Sequence, residues 1–137
     1  MASSNQIFPD INNCIICVVG LGYVGLPLAV EFSKLKTESS GEKKKRSVVG
    51  FDINKTRINE LLNGLDRTNE VSKTELTSVS SLIFTSDISL IEKSDIFIIT
   101  VPTPVDDSNL PNLEPLKNAT KMIGKVLHER NKSNALY

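Results

Sequence analysis

A glycine pattern between an apolar run and a helical repeat constrains this chain more than any other feature. Gly20, Gly22 and Gly25 form G-x-G-x-x-G directly after the apolar residues 15–19, which are typical of a buried strand. Apolar residues then recur at helical spacing, at Val24, Leu28, Phe32 and Leu35. The glycines therefore lie where a strand turns into a helix, and this context makes an otherwise weak pattern informative.

This strand–turn–helix unit has the properties of a diphosphate site. Glycine permits the tight turn at Gly20, opens the backbone to a ligand at Gly22, and lets the helix pack closely on the strand at Gly25. The helix N-terminus offers unpaired N–H groups and a partial positive charge, and Pro27 near its start forfeits little hydrogen bonding. The alternative, a glycine-rich turn without a ligand, is less favoured in this setting.

Asp52 is the second candidate binding residue. It follows residues 48–51, which read as a second buried strand, and an acid at that point accepts hydrogen bonds from a ribose 2′-hydroxyl. A 2′-phosphate would be repelled, so Asp52 favours NAD over NADP. The alternative role is a helix cap, which Asn54 could fill equally well.

Strands alternate with helices along the chain. The predicted strands are residues 15–19, 48–51, 82–85 and 96–101, and the predicted later helices are 54–63, a short one opened by a Ser72–Glu75 capping box, 86–92 and 113–130. Such alternation predicts an α/β fold with a doubly wound parallel sheet, in the order 3-2-1-4 with right-handed crossovers. Residues 134–137 resemble the start of another strand, so we expect a Rossmann-like domain truncated before its last strands.

The loop after the fourth predicted strand is stiffened by two prolines, Pro102 and Pro104. It lies at the carboxyl edge of the sheet, beside the crevice where strand order reverses. The sequence thus predicts one wall of a nicotinamide-ribose site, with the Thr103 hydroxyl as a polar contact. The alternative is a stiff connector without ligand contacts.

Composition narrows the remaining possibilities. The chain has 137 residues and a formal net charge of +0, which argues against a nucleic-acid or anionic-membrane binder. It has no apolar run near membrane-spanning length, and residues 1–13 lack the pattern of a secretory signal. We therefore expect a loose leader over 1–13, a domain over 14–137 and a cytoplasmic location.

The basic run 43–46 could be a nuclear signal or phosphate patch, but a solvated loop over 36–47 is favoured.

Cysteine and histidine point to no further chemistry. Cys14 and Cys17 have the C-x-x-C spacing of redox motifs, but they lie in or beside a strand on opposite faces, so we predict buried, inert thiols. His128 has no nearby cysteine or histidine, and no metal site is predicted.

Three separated segments resemble one family. V-x-G-L-G-Y-V-G-L-P-L-A from Val18, G-F-D-I-N-K-x-R-I from Gly50 and T-V-P-T-P-V-D from Thr100 are similar to the NAD-binding domain of UDP-glucose/GDP-mannose dehydrogenases. R-T-N-E-V-S from Arg67, T-S-D-I from Thr85 and P-N-L-E-P-L from Pro111 resemble the branch that oxidises UDP-N-acetylgalactosamine or UDP-N-acetylglucosamine, of the Vi-polysaccharide type.

The resemblance implies NAD as cofactor and a set of contact residues. Carried over by position, these are Gly20, Leu21, Gly22, Tyr23, Val24, Gly25, Asp52, Arg57, Val101, Pro102 and Thr103. Arg57 would lie near the adenosine, although an exposed helix arginine is favoured without the resemblance.

The family oxidises the C6 alcohol of a UDP-sugar to a carboxylate, using two NAD and a cysteine nucleophile. That cysteine lies in a later segment, so the resemblance implies no catalytic residue here, and the first-strand cysteines cannot replace it. We expect the cofactor half of a homodimeric or larger enzyme of surface polysaccharide biosynthesis. Two alternatives remain open: a UDP-glucose or GDP-mannose enzyme, and a stand-alone NAD-binding or sensing module.

Overall fold

Four parallel strands form the central sheet of the computed structural model, which describes residues 9–10, 13–34, 36–37 and 40–134. These four are β1 Ile16–Val19, β4 Val48–Phe51, β5 Leu82–Thr85 and β6 Ile96–Ile99, and a separate two-stranded hairpin is formed by β2 Lys36–Thr37 and β3 Lys43–Lys44. The helices are α1 Gly25–Ser33, α2 Lys55–Leu62, α3 Lys73–Ser78 and α4 Glu114–Asn134, with a 3₁₀ helix at Ile88–Ile91. The sheet order β5-β4-β1-β6 confirms the predicted order of the four long strands.

Helices cover both faces of this sheet, because every residue of β1 is buried and its side chains alternate between two cores. Ile16 and Val18 pack in one core with apolar residues of α1, α2 and α3. Cys17 and Val19 pack in the other with the 3₁₀ helix and with Ala119, Ile123 and Val126 of α4. The predicted doubly wound α/β architecture is thereby confirmed.

The fully buried residues of α1 lie beside the apolar repeat seen in the sequence, of which Phe32 packs only partly against the core. Leu26, Ala29, Val30 and Ser33 are buried, whereas Val24 is half exposed. Gly25 determines this orientation, because a Cβ placed on it would lie only 1.8 Å from the carbonyl oxygen of Gly20. The glycine must therefore face the strand, and the residues that share its side of the helix are buried with it.

The ends of the shorter helices follow the predicted local chemistry. The Asn54 side chain accepts hydrogen bonds from the N–H groups of Thr56 and Arg57 at the start of α2. Ser72 and Glu75 form the predicted capping box of α3. Gly64 has a φ of +72°, which explains why α2 ends before it.

Two segments differ from expectation. The predicted polar loop over 36–47 contains an antiparallel hairpin in which Lys36 lies opposite Lys44. Helix α4 continues to Asn134, so Asn134 does not begin a strand, and residues 135–137 lie outside the described part. Most of the predicted leader, residues 1–8 and 11–12, also lies outside it.

Both cysteines are buried, one in each core, and they are not joined in a disulfide. Burial raises the pKa of the Cys17 thiol to about 12. The Cys17 thiol thus stays protonated, as an inert core residue would. None of the helices in the described ranges is long and apolar enough to cross a membrane.

Candidate functional site

A cleft of about 820 Å³ opens at the carboxyl ends of β1, β4 and β6. This size is typical of ligand pockets, and the position is the switch point where doubly wound sheets bind ligands. Seven of the predicted contact residues line the cleft: Gly20, Leu21, Gly22, Asp52, Arg57, Val101 and Pro102. Tyr23, Val24, Gly25 and Thr103 do not line it, and Tyr23 and Thr103 are exposed. Helix α4 supplies part of the opposite wall through Asn118 and Met122.

The three glycines of the turn have different surroundings. Gly20 has a φ of +99°, in the left-handed region, and a Cβ there would lie 3.0 Å from the backbone of Thr100. Gly25 is pressed against the carbonyl group of Gly20. A Cβ on Gly22, by contrast, would meet no atom within 4 Å. Gly20 and Gly25 are therefore required by the fold itself, while Gly22 leaves open space beside the cleft for a ligand.

The N-terminus of α1 beside this space carries no opposing charge or cap. Its N-cap residue, Val24, has no side chain able to accept a hydrogen bond, and its first turn contains no acidic residue. No side chain of the cap or of the first turn therefore offsets the partial positive charge of the helix end. Together with the open side of Gly22, this arrangement suits a diphosphate.

Side chains hydrogen-bond both backbone polar groups of Leu21, its N–H and its carbonyl oxygen. Asp52 Oδ2 accepts a hydrogen bond from the Leu21 N–H at 2.8 Å, and Arg57 Nε donates to the Leu21 carbonyl oxygen at 2.8 Å. Asp52 Oδ1 also accepts from the Asn54 N–H at 2.9 Å. Because each carboxylate oxygen can accept more than one hydrogen bond, Asp52 keeps capacity for a ribose hydroxyl. Asp52 thus shapes the turn and can still contact a ligand.

Arg57 is only 5% exposed, which rules out the exposed helix arginine that sequence alone favoured. Its Nη2 pairs with Asp66 Oδ1 at 2.7 Å, and its Nη1 is buried with no hydrogen-bond partner among the described residues. Arg57 also lines the cleft beside Asp52, although Nη1 itself is buried and not exposed to it.

Sequence reasoning missed Asp66, which does not line the cleft but pairs with Arg57, which does. Besides Arg57 it accepts hydrogen bonds from the backbone and hydroxyl of Thr68 and from the N–H groups of Glu70 and Val71. Burial alone would raise the pKa of Asp66, but the hydrogen bonds from Thr68, Arg57 and Val71 outweigh it and hold the pKa well below its usual range. Asp66 therefore stays charged and fixes both its own loop and Arg57.

Thr100 is the second residue that was missed. Its Oγ1 donates to the carbonyl oxygen of Gly20 at 2.7 Å, with a longer approach of 3.2 Å to that of Val19. It thereby fixes the carbonyl against which Gly25 packs. The only sequence signal was a hydroxyl residue at the end of an apolar strand.

The loop beyond Pro102 turns back on itself. The Asn112 N–H donates to the Pro104 carbonyl oxygen, Val105 bridges to Pro111, and the Asp106 side chain accepts from the N–H groups of Ser108 and Leu110. The Asn112 side chain then accepts from the Glu114 N–H at the start of α4. The proline loop is thus a rigid connection from β6 to the wall that α4 provides.

Known proteins are similar to this chain in sequence and in fold. Residues 14–133 match the sequence model of the UDP-glucose/GDP-mannose dehydrogenase family, NAD binding domain. The chain is 53% identical over 112 residues to the UDP-N-acetyl-D-glucosamine 6-dehydrogenase of Pseudomonas aeruginosa and 48% identical over 113 residues to that of Salmonella typhi. Each match covers 82% of this chain and 24% of the relative, so the chain spans about a quarter of the length of these relatives.

A solved structure gives the same picture. The UDP-D-ManNAc dehydrogenase from Pyrococcus horikoshii is 33% identical and superposes with a TM-score of 0.65. The match covers 82% of this chain and 25% of that one. Sequence and fold therefore agree on a single family.

Proposed function

The chain belongs to the UDP-glucose/GDP-mannose dehydrogenase family as an NAD-binding domain, and from this premise we propose that its cleft holds NAD with the diphosphate over Gly22. The observation that carries the proposal is the open side of Gly22 next to an uncapped helix N-terminus. Bound there, NAD would supply the hydride acceptor of the reaction, while the residues of this chain bind and orient it.

The adenosine end is proposed to lie beside Asp52 and Arg57. Asp52 accepts from the ribose hydroxyls, and Arg57 lines the same end of the cleft, where it holds the Leu21 carbonyl oxygen in place. Val101, Pro102 and Thr103 are proposed for the nicotinamide side, with Tyr23, Val24 and Gly25 as part of the glycine turn. A calorimetric titration of the chain with NAD, and in parallel with NADP, tests this site: saturable NAD binding supports it, and no NAD binding would contradict it.

Replacing Gly22 with alanine is expected to weaken NAD binding at least about tenfold, or about 1.4 kcal/mol, because the methyl group fills the space left for the diphosphate. The stability of the fold should change by no more than about 1 kcal/mol, since the new Cβ meets no protein atom. Calorimetry and thermal unfolding measure the two effects. Unchanged affinity would mean that the ligand does not approach the turn at Gly22.

Replacing Asp52 with alanine is expected to weaken NAD binding by about 1–3 kcal/mol, because hydrogen-bond donors of the ribose and of Leu21 lose their acceptor. The control is Asp107→Ala, which removes the same charge from the exposed turn beyond Pro104. The dissociation constant for NAD is measured by calorimetry for both variants, and equal values would contradict a contact between Asp52 and NAD.

For the whole protein we propose an NAD-dependent 6-dehydrogenase that converts the C6 hydroxyl of a UDP-N-acetylhexosamine to a carboxylate. The two relatives named above as UDP-N-acetyl-D-glucosamine 6-dehydrogenases, at 53% and 48% identity, support this substrate class. The resemblance further suggests a cytoplasmic enzyme of surface polysaccharide biosynthesis that acts as a homodimer or larger assembly. The alternative substrates are UDP-glucose and GDP-mannose.

The activity is tested with the full-length protein and NAD. UDP-N-acetylglucosamine or UDP-N-acetylgalactosamine should give two NADH per sugar and a carboxylate product. UDP-glucose and GDP-mannose should react poorly. The 137-residue chain alone should give no NADH, and turnover by it would contradict the view that the catalytic residues lie elsewhere.

A further inference from the structure

Two ion pairs join α2 to the loop that follows it; the helix supplies the cation of one pair and the anion of the other. Arg57 on the helix binds Asp66 on the loop, and Glu60, one turn further along, binds Arg67. Arg67 donates from Nε and from Nη2 to the two carboxylate oxygens of Glu60, each at 2.6 Å. Such a bidentate pair is stronger and more directional than a single charged contact.

Arg67 lies at the adenosine end of the proposed site. It lines the cleft together with Asp52 and Arg57, and the cleft-lining residues of the described chain include no other cation. Glu60 raises the pKa of Arg67 by hydrogen bonding and by its charge, and the charge of Asp52 adds a smaller effect. Arg67 and Asp52 thus line the same cleft.

The side chains of Arg57 and Arg67 differ in how firmly the protein holds them. Arg57 is buried and bound at the same time to Leu21 and Asp66, so it cannot leave its position without breaking the glycine turn. The side chain of Arg67 is 49% exposed, and it donates two hydrogen bonds to Glu60. Arg67 could thus meet a new anion in the cleft if Glu60 released it.

In dinucleotide sites, an arginine near the acidic residue of the second strand is what accommodates a 2′-phosphate. Arg67 occupies such a position in this chain, yet its charge is already matched by a carboxylate. We propose that Glu60 helps to determine the preference for NAD over NADP, an inference that rests on the NAD site proposed above. By holding Arg67 in a bidentate pair, it withholds the guanidinium from a 2′-phosphate and so reinforces the repulsion that Asp52 exerts on NADP.

The test compares Glu60→Gln with Glu31→Gln. Both remove one negative charge, but Glu31 pairs with Lys34 and Lys36 at the C-terminal end of α1 and does not line the cleft. Dissociation constants for NAD and NADP are measured by calorimetry, with NADP also measured by competition against NAD. Glu60→Gln should tighten NADP binding about tenfold, as one charged hydrogen bond would, and leave NAD within about twofold.

A second variant separates release of Arg67 from a general change in charge. Adding Arg67→Ala to Glu60→Gln should return the NADP-to-NAD ratio to that of the unaltered chain. The proposal is overturned if Glu60→Gln and Glu31→Gln give the same ratio, or if the gain in NADP binding survives the loss of Arg67. Absence of NAD binding by the unaltered chain would instead contradict the site itself, and this inference with it.

Discussion

Replacing Gly25 with alanine is expected to destabilise the domain by about 3 kcal/mol or more, a larger cost than ordinary overpacking. The added Cβ would lie 1.8 Å from the Gly20 carbonyl oxygen and 2.4 Å from Thr100 Oγ1. The first of these atoms is backbone in a turn that is itself held by Thr100, so neither neighbour can move aside cheaply. Urea unfolding followed by circular dichroism measures the change.

The matched control is Gly124→Ala in the interior of α4, where an added Cβ meets no atom within 4 Å. Alanine should stabilise that helix by about 0.5–1 kcal/mol, because it lowers the entropic cost that glycine carries there. If Gly25→Ala unfolded at the same urea concentration as the unaltered chain, the close approach of α1 to β1 would be wrong.

Replacing Asp66 with alanine should cost about 3–5 kcal/mol, because it leaves the buried guanidinium of Arg57 without its counter-charge. The loop N–H groups that Asp66 satisfies would lose their acceptor as well. The control is Glu129→Ala, whose exposed pair with Lys132 spans 3.5 Å and is worth less than about 1 kcal/mol. Equal destabilisation of the two variants would show that the buried pair contributes no more to the free energy of unfolding than the exposed pair.

The same carboxylate predicts a dependence on pH. The pKa of Asp66 is lowered in the folded chain, so its contribution to stability is complete above the unfolded value of about 3.9 and falls as the pH drops below it. The gap in unfolding free energy between the unaltered chain and Asp66→Ala should therefore narrow below about pH 4. A gap that stays constant down to pH 2 would contradict this assignment.

Short-range patterns predicted much of the fold. The glycine turn and the caps at Asn54 and Ser72 could be anticipated because each depends on the chemistry of a few neighbouring residues. The order of the sheet followed from the alternation of strands and helices. The buried face of α1 could not be read from apolar spacing, which carries no information about the approach of Gly25 to Gly20.

The site was less predictable where its partners are distant in sequence. Arg57 resembles any exposed helix arginine until the loop after α2 folds back and brings Asp66 against it. Thr100 meets Gly20 only when β6 lies beside β1. Asp52 was predicted as a ligand contact, but its hydrogen bond to Leu21 belongs to a tertiary network that one sequence does not reveal.

The hydrogen bond from Thr100 to Gly20 also bears on the order of events during folding. Its partners are 80 residues apart, and β1 pairs with β6 over the same separation. Closing so long a loop carries an entropic cost that parallel strands recover only when both are in place. We therefore expect the glycine turn to acquire its final shape only when β6 lies beside β1. A dinucleotide that binds only the completed turn would then stabilise the folded state by mass action and mainly slow unfolding.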